Sequence, residues 1–473
     1  MPRTDAVIVG SGPNGLAAAI ALARAGRSVR VLEGEATIGG GTRSEELTLP
    51  GHLHDVCSAV HPLALGSPFL STLPLGEHGL RFVHPELPLA HPLDGGRAVV
   101  LHRSLDDTAA GLGGDAAAYR RLMLPFVRDA PELMRAVLSL PLPRLSLLPA
   151  AARFALLGLR PATGLVRRFQ GEEARALFAG TAAHAMQPLT APATGAFALV
   201  LGLLGHAVGW PVAAGGSRSI TTAMASLLQS LGGEVETGRP VKALADLPPA
   251  RAVLFDVSPR ALGAIAGAEL PGRYRRALRR YRYGPGVFKI DYALTEPVPW
   301  QAEEVRRAGT VHVGGTIGEI AAAHADVAAG RLPVRPFVLV AQQSIADPSR
   351  APAGRHTLWA YCTVPNGAEA DMAQAIERQI ERFAPGFRDV VAARHVMGPA
   401  QLEASNPNYV GGDINCGAAV LRQLITRPAI RPVPHATPNP RLFLCSSATP
   451  PGGGVHGMCG RNAARAALRG VLR

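Results

Sequence analysis

The reading of this chain turns on Ala6-Val7-Ile8-Val9-Gly10-Ser11-Gly12-Pro13-Asn14-Gly15, with Leu16 to Ala25, Ser28 to Leu32 and Glu33 behind it. Four apolar, mostly β-branched residues suit a strand buried on both faces of a parallel sheet. Leu16 to Ala25 is a run of strong helix formers stopped by Gly26, and Ser28 to Leu32 alternates as a second strand. The glycines between strand and helix have separate tasks. Gly10 permits the tight turn, Gly12 lets backbone N–H groups approach a pyrophosphate, and Gly15 lets helix and strand pack closely. Pro13 and Asn14 open the helix, whose amino end faces negative charge. Glu33, closing the second strand, stands where an acid takes the ribose hydroxyls of an adenosine and repels a 2′-phosphate, which disfavours NADP. A lone glycine turn is a weak signal, but here strand, helix and acid all fall into place around it.

Just beyond Glu33 lies a second cluster, Gly39-Gly40-Gly41-Thr42-Arg43-Ser44. Its backbone donors and the Arg43 guanidinium suit the pyrophosphate or ring system of a larger cofactor, so FAD is expected rather than NAD. A second strand, glycine turn and helix unit of the kind that would bind NAD separately is missing from the sequence. At the other end, the strand-like Arg441 to Ser446 leads through Pro450-Pro451-Gly452-Gly453-Gly454-Val455-His456-Gly457 into a helix expected over Asn462 to Val471, again a glycine loop before a helix.

Composition bounds the rest. An apolar share of 47% with 18% charged residues excludes an extended disordered chain, and the polar breaks argue against many membrane spans. The net charge of +13 invites an anionic partner, yet only Lys242 and Lys289 are lysines; the arginines are scattered and aromatic residues are 5%, so no nucleic-acid partner is expected. Five widely spaced cysteines with no Cys-x-x-Cys indicate neither a disulfide framework nor a zinc site, and no metal is expected; the cytoplasm is the default location.

Residues 107 to 210 read as short helices, including Tyr119 to Arg128 and Glu132 to Leu140, divided by Pro125, Pro131, Pro141, Pro143 and Pro149. Leu145 to Leu159 with Arg160, Arg167 and Arg168 has three readings: a peripheral membrane face, the mouth of an apolar tunnel, or ordinary helical core with solvated arginines. A helix over Ile220 to Leu231 and a strand over Glu234 to Thr237 return the chain to the first domain, with Val253 to Asp256 a further strand. From Gly286 strands dominate, at Val287 to Leu294, Thr310 to Val313, Pro336 to Gln342 and His356 to Thr363, with a helix at Asp371 to Phe383: an antiparallel sheet carrying helices.

Over nearly its whole length the chain resembles the phytoene-dehydrogenase-related FAD-dependent oxidoreductases, a branch of the glutathione-reductase-like group that also holds the amine oxidases. The carrying segments are His54 to Pro62, Tyr283 to Asp291, Asn406 to Asp413 and the terminal glycine loop. The resemblance implies an FAD-binding Rossmann-type α/β domain interleaved with an α+β substrate domain. The expected boundaries are 1–75, 213–270 and 436–473 for the FAD-binding segments, 76–212 for a helical substrate region and 271–435 for a mixed-sheet substrate domain. It also implies that Val241 meets the adenine through its backbone and that Gly454, Val455 and His456 lie beside the flavin. Cys416 departs from the pattern, which has glycine there.

The chemistry expected is dehydrogenation of a hydrophobic, polyene or isoprenoid-like substrate, the electrons passing on to oxygen or a quinone. Two alternatives stand beside it: redox-neutral isomerisation of a double bond, and a flavin-stabilised lipid-binding protein without turnover. Lys289 is the first catalytic candidate, because lysine is so rare here and the amine oxidase relatives keep one near flavin N5; the competing reading pairs it with Asp291. His61 is the second, against an ordinary core histidine. Trp210, Tyr409 and Cys416 are candidates for the substrate wall. Covalent flavin attachment through Cys445 or Cys459 is set aside, since buried cysteine is usually inert.

Overall fold

A computed structural model describes residues 4–139 and 148–473. The amino-terminal stretch folds as read: strand Thr4–Val9, helix Pro13–Ala23 and strand Val29–Leu32. These strands sit inside a five-stranded, wholly parallel sheet in the order Leu442–Leu444, Ala250–Phe255, Thr4–Val9, Val29–Leu32 and Glu234–Glu236. Its strands come from the two ends and the middle of the chain, so the sheet closes only when distant segments meet. Helix Pro13–Ala23 packs against helix Met458–Arg469 at a crossing that tolerates no side chain, because a Cβ on Gly460 would lie 1.8 Å from the Asn14 carbonyl oxygen.

A second sheet of seven strands runs in the order Val391–Met397, Gly286–Leu294, His356–Val364, Val338–Ala341, Ala308–Val313, Leu87–Leu93, Arg97–Leu101. The strands from Gly286 onward pair antiparallel with one another as expected, and the sheet is mixed because Ala308–Val313 also pairs in parallel with Leu87–Leu93. Its two faces follow the period of two. Phe288, Ile290, Tyr292, Leu358, Ala360, Val338 and Val340 form one core with Ile376, Ile380 and Phe383 of helix Ala373–Phe383. Lys289, Asp291, Trp359, Tyr361, Leu339, Thr310 and His312 occupy the alternate positions.

The segment between the sheets is helical, as expected, with Ala116–Arg128, Ala130–Val137, Leu148–Gly158, Glu172–Ala182 and Thr194–Ala207. Pro125 does not divide a helix: it lies inside Ala116–Arg128, in the last turn, where little helix remains to be broken. Pro131 sits in the first turn of its helix, where a missing N–H costs nothing. Pro141, Pro143 and the start of the Leu145 to Leu159 stretch lie outside the described residues. The remainder of that stretch shows solvent Leu156 and Leu159, while Phe154 packs edge-on against Phe126. Among the described residues no helix is long and apolar enough to cross a membrane.

Candidate dinucleotide and substrate site

One continuous cavity of about 530 Å³ runs from the Gly10 turn to the face of the seven-stranded sheet. Its first end is built by Glu33. The carboxylate is nearly buried and accepts hydrogen bonds from Ser11 N–H at 2.9 Å, Ser11 Oγ at 2.6 Å and Glu35 N–H at 3.0 Å. This network holds the acid at the strand end and aims it along the cavity wall, beside Val241, Arg239 and Pro240. Gly10 has φ +99°, a left-handed conformation that a side chain resists. A Cβ on Gly15 would lie 2.1 Å from the Gly10 carbonyl oxygen, so Gly15 packs behind the turn and does not line the cavity.

Gly12, Pro13, Asn14, Gly40, Gly41, Thr42 and Arg43 line the middle. The two glycine turns touch: a Cβ on Gly40 would stand 3.3 Å from the Cα of Gly12. Thr42 Oγ1 donates to the Gly39 carbonyl at 2.9 Å and fixes the second turn. Arg43 donates to the Ser405 carbonyl at 2.7 Å and the Gly40 carbonyl at 3.2 Å, so the guanidinium joins the turn to the Asn406 to Asp413 segment. The sequence marks Asp256 only as the end of a strand. It lines the same stretch and accepts from Gly15 N–H at 2.8 Å, at the amino end of the first helix. Burial pushes its carboxyl up, the Gly15 N–H opposes and the charge of Glu33 adds, leaving its pKa at about 7.

Gly454 and Val455 close the cavity from the carboxyl-terminal side, but His456 does not line it. Its Nε2 bonds the Gly452 carbonyl at 3.1 Å and its Nδ1 accepts from Met458 N–H at 3.0 Å, so the ring braces the loop from behind.

The far end carries His61, Leu201, Trp210, Thr310, Leu339, Trp359, Tyr361 and Tyr409, with His184 among them. Cys416, expected on the substrate wall, instead lines the cavity from the five-stranded sheet's side, in one apolar cluster with Val9 and Phe255. His61 Nε2 lies 2.8 Å from Ser217 Oγ, and burial draws its pKa down to about 4, so the ring is neutral near pH 7. Trp210 Nε1 donates to the Leu201 carbonyl at 3.2 Å, which sets the indole against the wall. The Tyr409 hydroxyl occupies the space a Cβ on Gly41 would need, 2.4 Å away. Cys416 has φ +53°, the conformation that explains why the resembling pattern has glycine there.

Lys289 does not line the cavity. It is 2% exposed, donates to the fully buried Asp291, and stands 6.0 Å from the Trp359 ring, next to Tyr361 in register. His54 and His395 lie 3.7 and 3.9 Å from the same carboxylate. The structure therefore places Lys289 in an ion pair adjoining the cavity wall. Among the described residues no group of three His, Cys, Asp or Glu side chains is placed to hold a metal ion.

Sequence reasoning missed Asp256, His184, Trp359, Tyr361 and Cys57 as lining residues. Alternation along His356–Val364 could have found Trp359 and Tyr361. His184 carries no local signal, because its position depends on packing against a strand more than a hundred residues away.

The fold and the cavity together define an α/β protein with a Rossmann-like dinucleotide-binding domain joined to a mixed-sheet domain. Residues 8–66 match the NAD(P)-binding Rossmann-like domain. The chain is 28% identical to the mouse pyridine nucleotide-disulfide oxidoreductase domain-containing protein 2 over 99% of its own length and 94% of that protein's. It is 29% identical to an uncharacterized protein of Mycobacterium tuberculosis, covering 98% and 97% of the two chains. Similar solved folds include an oxidoreductase from Methanosarcina mazei (TM-score 0.66, 17% identity, 97% and 98% coverage). Putrescine oxidase bound to putrescine (TM-score 0.63, 18%, 100% and 99%) is another. So is cyclohexylamine oxidase from Brevibacterium oxydans (TM-score 0.60, 18%, 100% and 100%).

Proposed function

We propose that the protein is an FAD-dependent oxidoreductase that desaturates a hydrophobic, polyene or isoprenoid-like substrate. The observation that carries this reading is one continuous cavity, which joins the fixed Glu33 carboxylate and two touching glycine turns to a compartment walled by Leu201, Leu339, Trp210, Trp359 and Tyr361. Glu33 would accept from the adenosine ribose, Val241 would flank the adenine, and the Gly10 to Gly15 and Gly40 to Arg43 turns would hold the pyrophosphate. Gly454 and Val455 would border the ring system. FAD, when bound, supplies a two-electron acceptor at its N5. The chain's own work is to orient a substrate C–H in the aromatic compartment and to keep water from it. The family resemblance and the relatives named as oxidoreductases support the redox reading; the apolar wall supports the substrate class.

The purified protein is expected to be yellow, to release FAD on denaturation and to bleach anaerobically with substrate. A product lighter by two hydrogens supports desaturation, whereas a product of unchanged mass formed only after prior flavin reduction selects isomerisation. Glu33→Ala is expected to lower FAD retention through loss of charged hydrogen bonds worth about 1.5–3 kcal/mol each. Gly12→Val is expected to lower it further, because its side chain would meet Asp256 Oδ2, 2.8 Å from the Cβ position. Full FAD occupancy in both variants would overturn the cofactor site.

A further inference from the structure

The compartment facing the seven-stranded sheet ends on a file of three imidazoles. His184, which lines the cavity just beyond helix Glu172–Ala182, places its Nε2 at 2.9 Å from Nε2 of the fully buried His312 on strand Ala308–Val313. The His312 ring stands 6.3 Å from that of His91, edge-on, on the adjoining strand Leu87–Leu93. His91 Nε2 in turn lies 2.7 Å from the carbonyl oxygen of Gly315.

The contact at Gly315 fixes the first hydrogen of the file. A carbonyl oxygen can only accept, so His91 carries its hydrogen on Nε2 and, when neutral, has a bare Nδ1. That Nδ1 and the Nδ1 of His312 are both buried without a partner among the described residues. Both face one gap, left by a helix residue with no side chain: a Cβ on Gly180 would come 2.9 Å from the first and 2.6 Å from the second. A lone pair on the His91 side favours the hydrogen on Nδ1 of His312. His312 then offers a lone pair at Nε2, and the hydrogen shared with His184 belongs to His184 Nε2. His184 is left with a bare Nδ1 in a ring that borders the cavity.

We propose that His184 is the proton acceptor of the substrate compartment, with its tautomer set by His312 and His91. The proposal rests on the desaturation reading. One substrate C–H breaks with its electron pair passing to FAD. The neighbouring C–H breaks with its electrons becoming the second bond of the new C=C, and its proton goes to His184 Nδ1. The Nε2 hydrogen of His184 can then move to His312 Nε2, spreading the charge over two rings.

The surroundings suit this task. Burial draws His184 and His91 down to about 4 and His312 well below its ordinary value. From helix Ile317–Ala328, His324 pushes His184 the same way, while Glu319 acts on His91 in the opposite sense. The file is therefore neutral near pH 7. So weak a base cannot take a proton from an ammonium group. It can take one from a carbon next to a centre losing hydride, where positive charge makes the C–H strongly acidic. A neutral acceptor of this kind suits a substrate segment that stabilises such charge, as an allylic hydrocarbon does.

Diethyl pyrocarbonate tests this on the protein as purified, because among imidazole nitrogens it acylates only those that are bare and accessible. At pH 5 a histidine of pKa about 4 is roughly 30-fold richer in the reactive form than one of ordinary pKa. Peptide mass mapping is expected to show His184 labelled by about that factor over the surface histidines, with His312 and His91 unlabelled. Nitrogen NMR of histidine-labelled protein is expected to show a bare Nδ1 on His184, a preference that His312→Phe relaxes. A His184 that labels no faster than the surface histidines, or one carrying its hydrogen on Nδ1, overturns the proposal. With a substrate that reduces the flavin, His184→Gln is expected to slow that reduction by about 10²–10⁴-fold while leaving photoreduction unchanged. Equal rates in variant and parent overturn the proton role and leave desaturation standing. A selectively labelled His184 in a protein whose flavin no apolar substrate reduces overturns desaturation, and the proton role with it.

Discussion

Asp256 ties the fold to the proposed cofactor site. Its Oδ2 occupies the Gly15 N–H at 2.8 Å, in the region the glycine turn offers to a pyrophosphate. With a pKa of about 7 against an ordinary 3.8, this acid holds a proton in the folded chain over a range where the unfolded chain has lost it. Its contribution is therefore fully present below the ordinary carboxylate range and is lost as pH rises through about 7. The same ionisation would set a second negative charge beside Glu33 and the pyrophosphate. Asp256→Asn is expected to flatten both effects: FAD affinity that falls up to about tenfold per pH unit above 7 in the parent should stay level in the variant. Titrating FAD into apoprotein at pH 6, 7 and 8 checks this, and identical slopes would remove Asp256 from the site. Glu33 and the glycines were legible in the sequence because a turn's backbone demands local residue types. Asp256 and His184 were not, because an acid at a strand end and a histidine after a helix acquire their surroundings only when the sheets close.

At the scale of elements, period-two reading worked where strands are continuous. Val287 to Leu294 and His356 to Thr363 match the observed Gly286–Leu294 and His356–Val364 to within one residue at each end. It failed at Leu87–Leu93, whose Pro88 and Pro92 argue against a ladder. Pro92 lies beyond the pairing with Ala308–Val313, which ends at Ala90, and is paired only with Ala98 on the other side, whereas Pro88 sits between the paired Leu87 and Leu89. Strand Gly286–Leu294 is buried throughout yet carries Lys289 and Asp291 on one face. Such a pair is costly to split. Lys289→Met should strand a buried carboxylate and lower stability by about 3–5 kcal/mol, and Asp291→Asn should produce a comparable loss. The double variant is expected to recover much of it. Melting curves beside stopped-flow flavin reduction separate this from a direct role: a variant that melts normally but reduces slowly would place the ammonium in the chemistry.

At the scale of the molecule, the cavity exists because two sheets assembled from scattered segments are held at one distance, and a buried arginine is central to that junction. Arg350 follows the seven-stranded sheet's strand Val338–Ala341 and is fully buried. It donates to Asp55 Oδ2 at 2.9 Å, to Asp347 Oδ2 at 2.8 Å and to the Ala213 carbonyl at 2.9 Å. Asp55 also accepts from Ser217 N–H at 2.7 Å, and Ser217 meets His61 on the cavity wall, so three successive contacts link the arginine to the cavity. Burial alone would raise the Asp55 carboxyl, but Arg350, the Ser217 N–H and the Ser44 hydroxyl together hold it below its ordinary value. Asp347 is likewise lowered against its burial, by Ser349, the Gly215 N–H and Arg350. Acids lowered in this way stabilise the fold above the ordinary carboxylate range, and that stability is lost as pH falls through their folded values. Arg350→Met keeps the bulk of the stem but leaves two buried carboxylates without their cation, at a cost of about 3–5 kcal/mol. The expected signature is a lower Tm at pH 7 and a smaller separation from the parent in acid, where protonated carboxyls no longer need the arginine. Adding Asp55→Asn should recover part of the loss at pH 7. A variant that melts like the parent at pH 7 would show that the sheets are held together without this residue.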